Sequence, residues 1–227
     1  GITVPGVDGD INTPNDNVTV NPAPNGDKPT LNPDGTVTVP NGGTVTPGNG
    51  QPITVPNGST VNPDGTVNTP NNGVVKPNPD GTITLPGADN NIKDPADNPT
   101  VAPKPGATQK PTINNDGSVT LPEGGTVTLP NGQPVTVPNG GTVNPDGTIT
   151  VPGADNTPGN ADDVTVKPTP EGGITVPGVD GDINTPNDNV TVNPAPNGDK
   201  PTLNPDGTVT VPNGGTVTPG NGEPVTV

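Results

Sequence analysis

Proline or glycine interrupts every window of this chain long enough to propagate a helix, and the interruptions are periodic. Short Thr/Val runs are separated by PNG, PDG or PGNG every six to nine residues, as in NPDGTVTVPNGGTVT at positions 32–46. A helix interior loses about 1 kcal/mol at each Gly and about 3 kcal/mol at each Pro, so no run here sustains one. Extended backbone is what remains. Thr and Val are both β-branched, and the alternation in Thr36-Val37-Thr38-Val39 places the two valines on one face of a strand and the two threonines on the other.

The punctuation has its own chemistry. In Pro33-Asp34-Gly35, Pro supplies the φ of the first turn position, Asp tolerates the second, and Gly takes the left-handed conformation that closes the turn with a bulge. Asn41-Gly42 reads as a tight turn of the primed type. Proline directly after a run, as in Val39-Pro40 and Val55-Pro56, limits pairing and keeps each strand very short.

These elements recur on a larger scale. Residues 1–55 return as residues 173–227, shifted by 172, with Gln51 becoming Glu223 and Ile53 becoming Val225 as the two changes. A weaker match relates the segment from Lys28 to that from Lys110, a shift of 82 without a gap, and a further copy starts at Lys200. Between the diverged copies Val, Ile and Leu exchange among themselves, as at Leu31 against Ile113 and Val39 against Leu121, while most turn residues hold their places. The chain therefore divides into unit A, residues 1–81, with an acidic segment 1–27 and a Thr/Val segment 28–81. Unit B, residues 82–172, has an acidic segment 82–109, strands over 110–151 and a second acidic segment 152–172. Residues 173–227 are a second, truncated copy of unit A. Because residue 1 already lies inside a repeat, the chain reads as a portion of something longer whose targeting signals lie elsewhere.

With 23% hydrophobic residues and no aromatic ring, any core is only one aliphatic side chain deep. The expectation is an all-β, elongated repeat architecture, most simply a narrow β-solenoid in which short strands and tight turns stack copy upon copy. The alternatives are a β-hairpin meander ribbon, or a disordered, polyproline-like chain, which 34 Gly and 38 Pro also permit.

Composition narrows function further. Seven Lys against 23 acidic residues leave a net charge of -16, which repels nucleic acid and anionic membranes and favours cations as partners. There is no Cys for disulfides or thiolate metal sites, and no apolar span for membrane insertion. Without His, Cys, Arg or Tyr, and with Ser59 and Ser118 as the only serines, the chain is not expected to be an enzyme or to take a small-molecule substrate.

Four acidic segments share a pattern in which an Asp follows Pro-Gly and a second stands eight positions later: Asp8 and Asp16, Asp89 and Asp97, Asp155 and Asp163, Asp180 and Asp188. Asp10, Asp94, Asp162 and Asp182 lie between or beside them. Carboxylates and Asn carbonyls in a Gly-bearing loop are the oxygen ligands that Ca²⁺ takes, six to eight at a time. The competing reading is a solvated acidic loop that keeps the protein soluble. No segment matches the twelve-residue EF-hand pattern, which ends in Glu. Rows of Thr such as Thr36, Thr38, Thr44 and Thr46 also suit an ice-binding face, but Asn62, Asn68 and Lys76 break the row.

Runs such as TVTLPNGQPVTVPNGGTVNPDGTITVPGADNTPGNADDVTV resemble the repeat regions of very large, secreted Gram-positive bacterial surface proteins, where Thr/Val-Pro-Asn-Gly strings alternate with PG-x-D...DDVTV segments. The resemblance implies an extracellular, wall-associated or fibre-forming array whose partners are neighbouring repeats and other copies in a filament. The function expected is a stalk or fibre that supplies reach and stiffness. Its rivals are a disordered Pro/Gly-rich spacer and a Ca²⁺-dependent binding module.

Overall fold

In a computed structural model spanning residues 1–227, the chain forms 24 short strands and no helix. Unit A contributes β1 (Ile2–Val4), β2 (Val18–Pro22), β3 (Thr30–Leu31), β4 (Val37–Val39), β5 (Gly43–Pro47), β6 (Ile53–Val55), β7 (Ser59–Val61), β8 (Val67–Asn68) and β9 (Val74–Pro77). Unit B contributes β10 (Ile83–Thr84), β11 (Thr100–Pro103), β12 (Thr112–Ile113), β13 (Val119–Leu121), β14 (Gly125–Thr128), β15 (Val135–Val137), β16 (Gly141–Val143), β17 (Ile149–Val151) and β18 (Val164–Pro168). The last segment adds β19 (Ile174–Val176), β20 (Val190–Asn193), β21 (Thr202–Leu203), β22 (Val209–Thr210), β23 (Thr216–Pro219) and β24 (Val225–Thr226). No helix is long and apolar enough to cross a membrane.

The strands form two long sheets. One has 13 strands in the order β1-β2-β5-β6-β12-β13-β16-β17-β18-β19-β20-β23-β24, the other nine in the order β15-β14-β11-β10-β9-β8-β7-β4-β3, and β21 and β22 pair separately. A single cluster of 26 buried aliphatic side chains drawn from both sheets lies between them. Strands such as β2 and β4, or β5 and β9, meet across it. At the usual strand spacing of roughly 4.8 Å the longer sheet extends about 60 Å.

Turn chemistry decides the pairing. In Asn32-Pro33-Asp34-Gly35-Thr36 the Gly35 φ of 84° takes the expected left-handed conformation, and the Asn32 and Thr36 backbones close the turn at 2.8 Å. The chain doubles back, so β3 and β4 pair antiparallel. The same turn joins β7 to β8, β9 to β10, β12 to β13, β16 to β17 and β21 to β22. Every ladder is antiparallel except β6 with β12, where Thr54 stands opposite Thr112 in parallel. No closed barrel and no solenoid coil is present. Stacked coils pair equivalent sides in parallel, whereas a bulged turn that reverses the chain makes antiparallel neighbours, which is the pattern of the hairpin alternative.

A second turn type changes sheet. Asn41 and Gly42 both have positive φ, 58° and 72°, as a primed turn requires, yet they close no hairpin. They carry the chain from β4 in the nine-stranded sheet to β5 in the other, and Pro56-Asn57-Gly58, Pro122-Glu123-Gly124 and Pro138-Asn139-Gly140 likewise cross between sheets. Strands equivalent under the shift of 82 therefore alternate: β5 and β6 lie in the 13-stranded sheet, their counterparts β14 and β15 in the other. Successive units are flipped relative to one another about the long axis.

Register keeps like beside like. Val37 faces Val61 and Thr38 faces Thr60, while Val20 faces Val45 and Thr19 faces Thr46. The valines point inward and are fully buried, each worth about 2 kcal/mol. The threonines form half-exposed rungs on the outer faces, with Oγ1 atoms 2.8 Å apart between Thr120 and Thr142 and 2.9 Å apart between Thr150 and Thr165.

Candidate functional site

Each acidic segment is a long hairpin connection: residues 5–17 between β1 and β2, 85–99 between β10 and β11, 152–163 between β17 and β18, and 177–189 between β19 and β20. Three of the four Asp pairs meet. The backbone N–H groups of Asp8, Asp89 and Asp180 donate to Oδ2 of Asp16, Asp97 and Asp188 at 3.0, 3.0 and 3.3 Å. In the remaining loop Asp155 N–H instead reaches Asp162 at 3.2 Å, and Asp163 accepts from Gly159 N–H at 2.7 Å. The glycine of the Pro-Gly step explains the motif. A Cβ on Gly6 would stand 2.3 Å from the Asp16 carbonyl oxygen, and one on Gly178 2.2 Å from the Asp188 Cγ, so only Gly lets the two limbs approach.

The other carboxylates serve their own loops. Asp8 accepts from Asp10 N–H at 2.8 Å and from the Thr13 hydroxyl, and Asp180 likewise from Asp182 N–H at 2.9 Å and the Thr185 hydroxyl. Those hydroxyls hold the Asp8 and Asp180 carboxyls below the usual carboxylate range, helped by the backbone donors. Asp10, Asp94 and Asp182 accept from the N–H two residues on, at 3.0, 3.0 and 2.9 Å, as Asx turns do. At the loop base the buried amides of Asn17, Asn98 and Asn189 donate to the carbonyls of Ile11, Ile92 and Ile183.

The carboxylates face backbone donors, and nowhere do three or more acidic side chains gather about one point. Unpartnered buried oxygens remain in these loops on Asn17, Asp97, Asn98 and Asp163, with Asp97 and Asn98 adjacent in one loop.

A second set of residues sits at the boundary between units. The parallel contact of β6 with β12 is accompanied by a hydrogen bond from Lys110 Nζ to the Pro52 carbonyl at 3.0 Å. One unit further along, Lys200 Nζ donates to the Pro134 carbonyl at 3.1 Å, where β15 lies against β21. Each lysine opens a Lys-Pro-Thr step and each carbonyl belongs to the proline before Ile53 or Val135, so both seams use the same parts. Lys28, the third such lysine, makes no bond of this kind.

The chain gives no match to family models, to curated proteins or to solved structures.

Sequence reasoning did not single out the seam lysines, although the recurrence of Lys-Pro-Thr at 28, 110 and 200 was the available signal. Nor did it identify the first residue of the bulged turns. The Asn32 side-chain amide donates to the hydroxyls of both Thr36 and Thr38 at 2.9 Å, a pattern repeated by Asn78, Asn114, Asn144 and Asn204. Within the same turns the Thr36 and Thr208 hydroxyls hold the Asp34 and Asp206 carboxyls below the usual range. Burial pushes Asp64 up, but hydrogen bonds from Thr66 and the charges of Lys93 and Lys76 outweigh it and leave the group lowered.

Proposed function

We propose that this chain is a structural repeat region, a two-sheet ribbon that gives reach and stiffness to an extracellular stalk or fibre. The observation that carries the reading is the continuity of the 13-stranded sheet across the unit boundary, through the β6–β12 ladder and its lysine clamp. Hydrogen-bonded sheet on both sides of a boundary leaves no flexible linker there, so reach grows with the number of units. The same continuity supports a stalk over a disordered spacer, because a spacer has no use for registered ladders. The location rests on the likeness of the repeats to those of secreted bacterial surface proteins.

Small-angle scattering joined to amide exchange tests the reading. A stiff ribbon gives the scattering of a rod about two sheets thick, roughly 10 Å between backbone layers. Its Val amides in β4, β5, β13 and β16 resist exchange. Rapid exchange of every Thr/Val run would overturn the proposal.

A further inference from the structure

In the bulged turns that open at Asn32, Asn78, Asn114, Asn144 and Asn204, the residue six positions on is Thr, and its hydroxyl accepts from the Asn amide. The turn that opens at Asn62 departs from this. Its sixth position is Asn68, so the Asn62 amide keeps only the Thr66 hydroxyl at 2.8 Å, and Asn68 Nδ2 donates to Asn62 Oδ1 at 3.2 Å. Across the ladder Asn68 faces Val74, where a ladder such as β4 with β7 sets Thr opposite Thr.

These exceptions lie beneath an acidic loop. Asn90, Asn91, Ile92 and Lys93 stand over them, and the space between is a cleft of about 530 Å³, within the range of roughly 300–1,000 Å³ usual for ligand sites. Lys93 from the loop stands 3.9 Å from Asp64 on the turn, so the two charges offset one another. Amides supply most of the remaining polarity. Asn68 Oδ1, Asn91 Nδ2 and both polar atoms of the Asn90 side chain make no hydrogen bond within the protein, and half-buried Val74 and Ile92 add two aliphatic patches. The turn itself gains nothing from Asn68. Its counterpart under the shift of 82 is Thr150, whose hydroxyl gives the Asn144 amide a second acceptor at 2.9 Å.

We propose that this cleft binds a neutral oligosaccharide. Each sugar hydroxyl both donates and accepts, and a carboxamide offers an acceptor oxygen and two donor hydrogens side by side, which a lone ammonium or carboxylate does not. The aliphatic faces of the sugar rings pack on Val74 and Ile92. An anion meets Asp64 there and a cation meets Lys93, so the cleft favours neither. The binding role adds to the stalk reading and does not depend on it.

Side-chain amide NMR of the intact ¹⁵N-labelled chain, titrated separately with maltotriose, cellotriose and triacetylchitotriose, tests the proposal. The expected result is saturable shifts of the Asn68, Asn90 and Asn91 amides with at least one of these sugars, while Asn144 and Asn204 stay in place. Asn68→Thr rebuilds the turn on the Thr150 pattern, keeps the spectrum elsewhere and weakens binding at least about tenfold by removing one carboxamide. No shift with any of the sugars up to their solubility, or equal binding by N68T, overturns the proposal. Shifts that never saturate, or that spread evenly along the Thr rows, overturn it as well. So do equal shifts from acetate or methylammonium, because the cleft then reads charge.

Discussion

The two copies of one 55-residue sequence differ most where neighbours differ. Leu31 on β3 is 59% exposed, while the identical Leu203 on β21 is 2% exposed, because β15 packs against β21 whereas β3 is the edge strand of its sheet, paired on one side with β4. Ile2 is half-buried, yet its twin Ile174 is fully buried beside β18. The first copy is open at its leading strands and closed at its trailing ones, and the second is the reverse. Burial here is a property of position in the array and not of the local sequence. The turns behave oppositely: Asn32-to-Thr36 and Asn204-to-Thr208 make the same hydrogen bonds in both copies.

Paired substitutions turn this contrast into measurements. The largest effect is expected from Leu203→Ala, costing about 3 kcal/mol by loss of buried methyls and cavity formation, against less than about 0.5 kcal/mol for Leu31→Ala. Urea unfolding of the two variants reads the difference, and equal costs would refute a burial set by neighbours. Ile53→Ala and Val225→Ala form a second pair in the opposite sense, about 3 kcal/mol against almost none, by the same assay. A smaller step is expected at the seam. Lys110→Met removes one hydrogen bond to the Pro52 carbonyl and costs about 1 kcal/mol, whereas Lys28→Met leaves the unfolding midpoint unchanged.

The turns provide the internal control. Asp34 and Asp206 are both held below the ordinary carboxylate range by Thr hydroxyls and backbone N–H groups. A carboxyl whose folded pKa lies below its unfolded value contributes stability above the unfolded pKa, and that contribution is lost as pH falls through the folded pKa. Both turns should therefore loosen together on acidification, at a pH below the ordinary Asp range near 3.9, in carboxyl ¹³C titrations. Different titration points would mean that even the turns sense their neighbours. The smallest effect is expected from calcium: with the loop carboxylates facing backbone N–H groups, melting in calcium and in chelator should coincide.

Local chemistry was legible in the sequence, and long-range arrangement was not. Alternation in Thr36–Val39 announced strands, Pro33-Asp34-Gly35 announced a bulged turn, and Asn41-Gly42 announced two positive φ values, all of which the structure contains. The choice between coil and hairpin depended on whether a given turn returns the chain to the same sheet or moves it to the facing one. Two turns of similar composition, NPDGT and PNGG, differ in that respect through partners far away in sequence. The acidic loops were legible only in part for a related reason. Eight-residue spacing in Asp155 and Asp163 looked like the other pairs, but the shorter loop brings Asp162 to the Asp155 N–H instead. Composition showed oxygen ligands, and only geometry shows which of them the loop's own N–H and hydroxyl groups engage.

The crosswise lie of the strands bears on how such a ribbon yields when pulled. Its ladder bonds run along the long axis, so tension between the two ends loads them a rung at a time instead of shearing many at once. Short strands of two to five residues then part in succession, each releasing a small length of slack. A ribbon built this way is expected to lengthen by graded steps under tension, which single-molecule force measurements read as a series of small extensions.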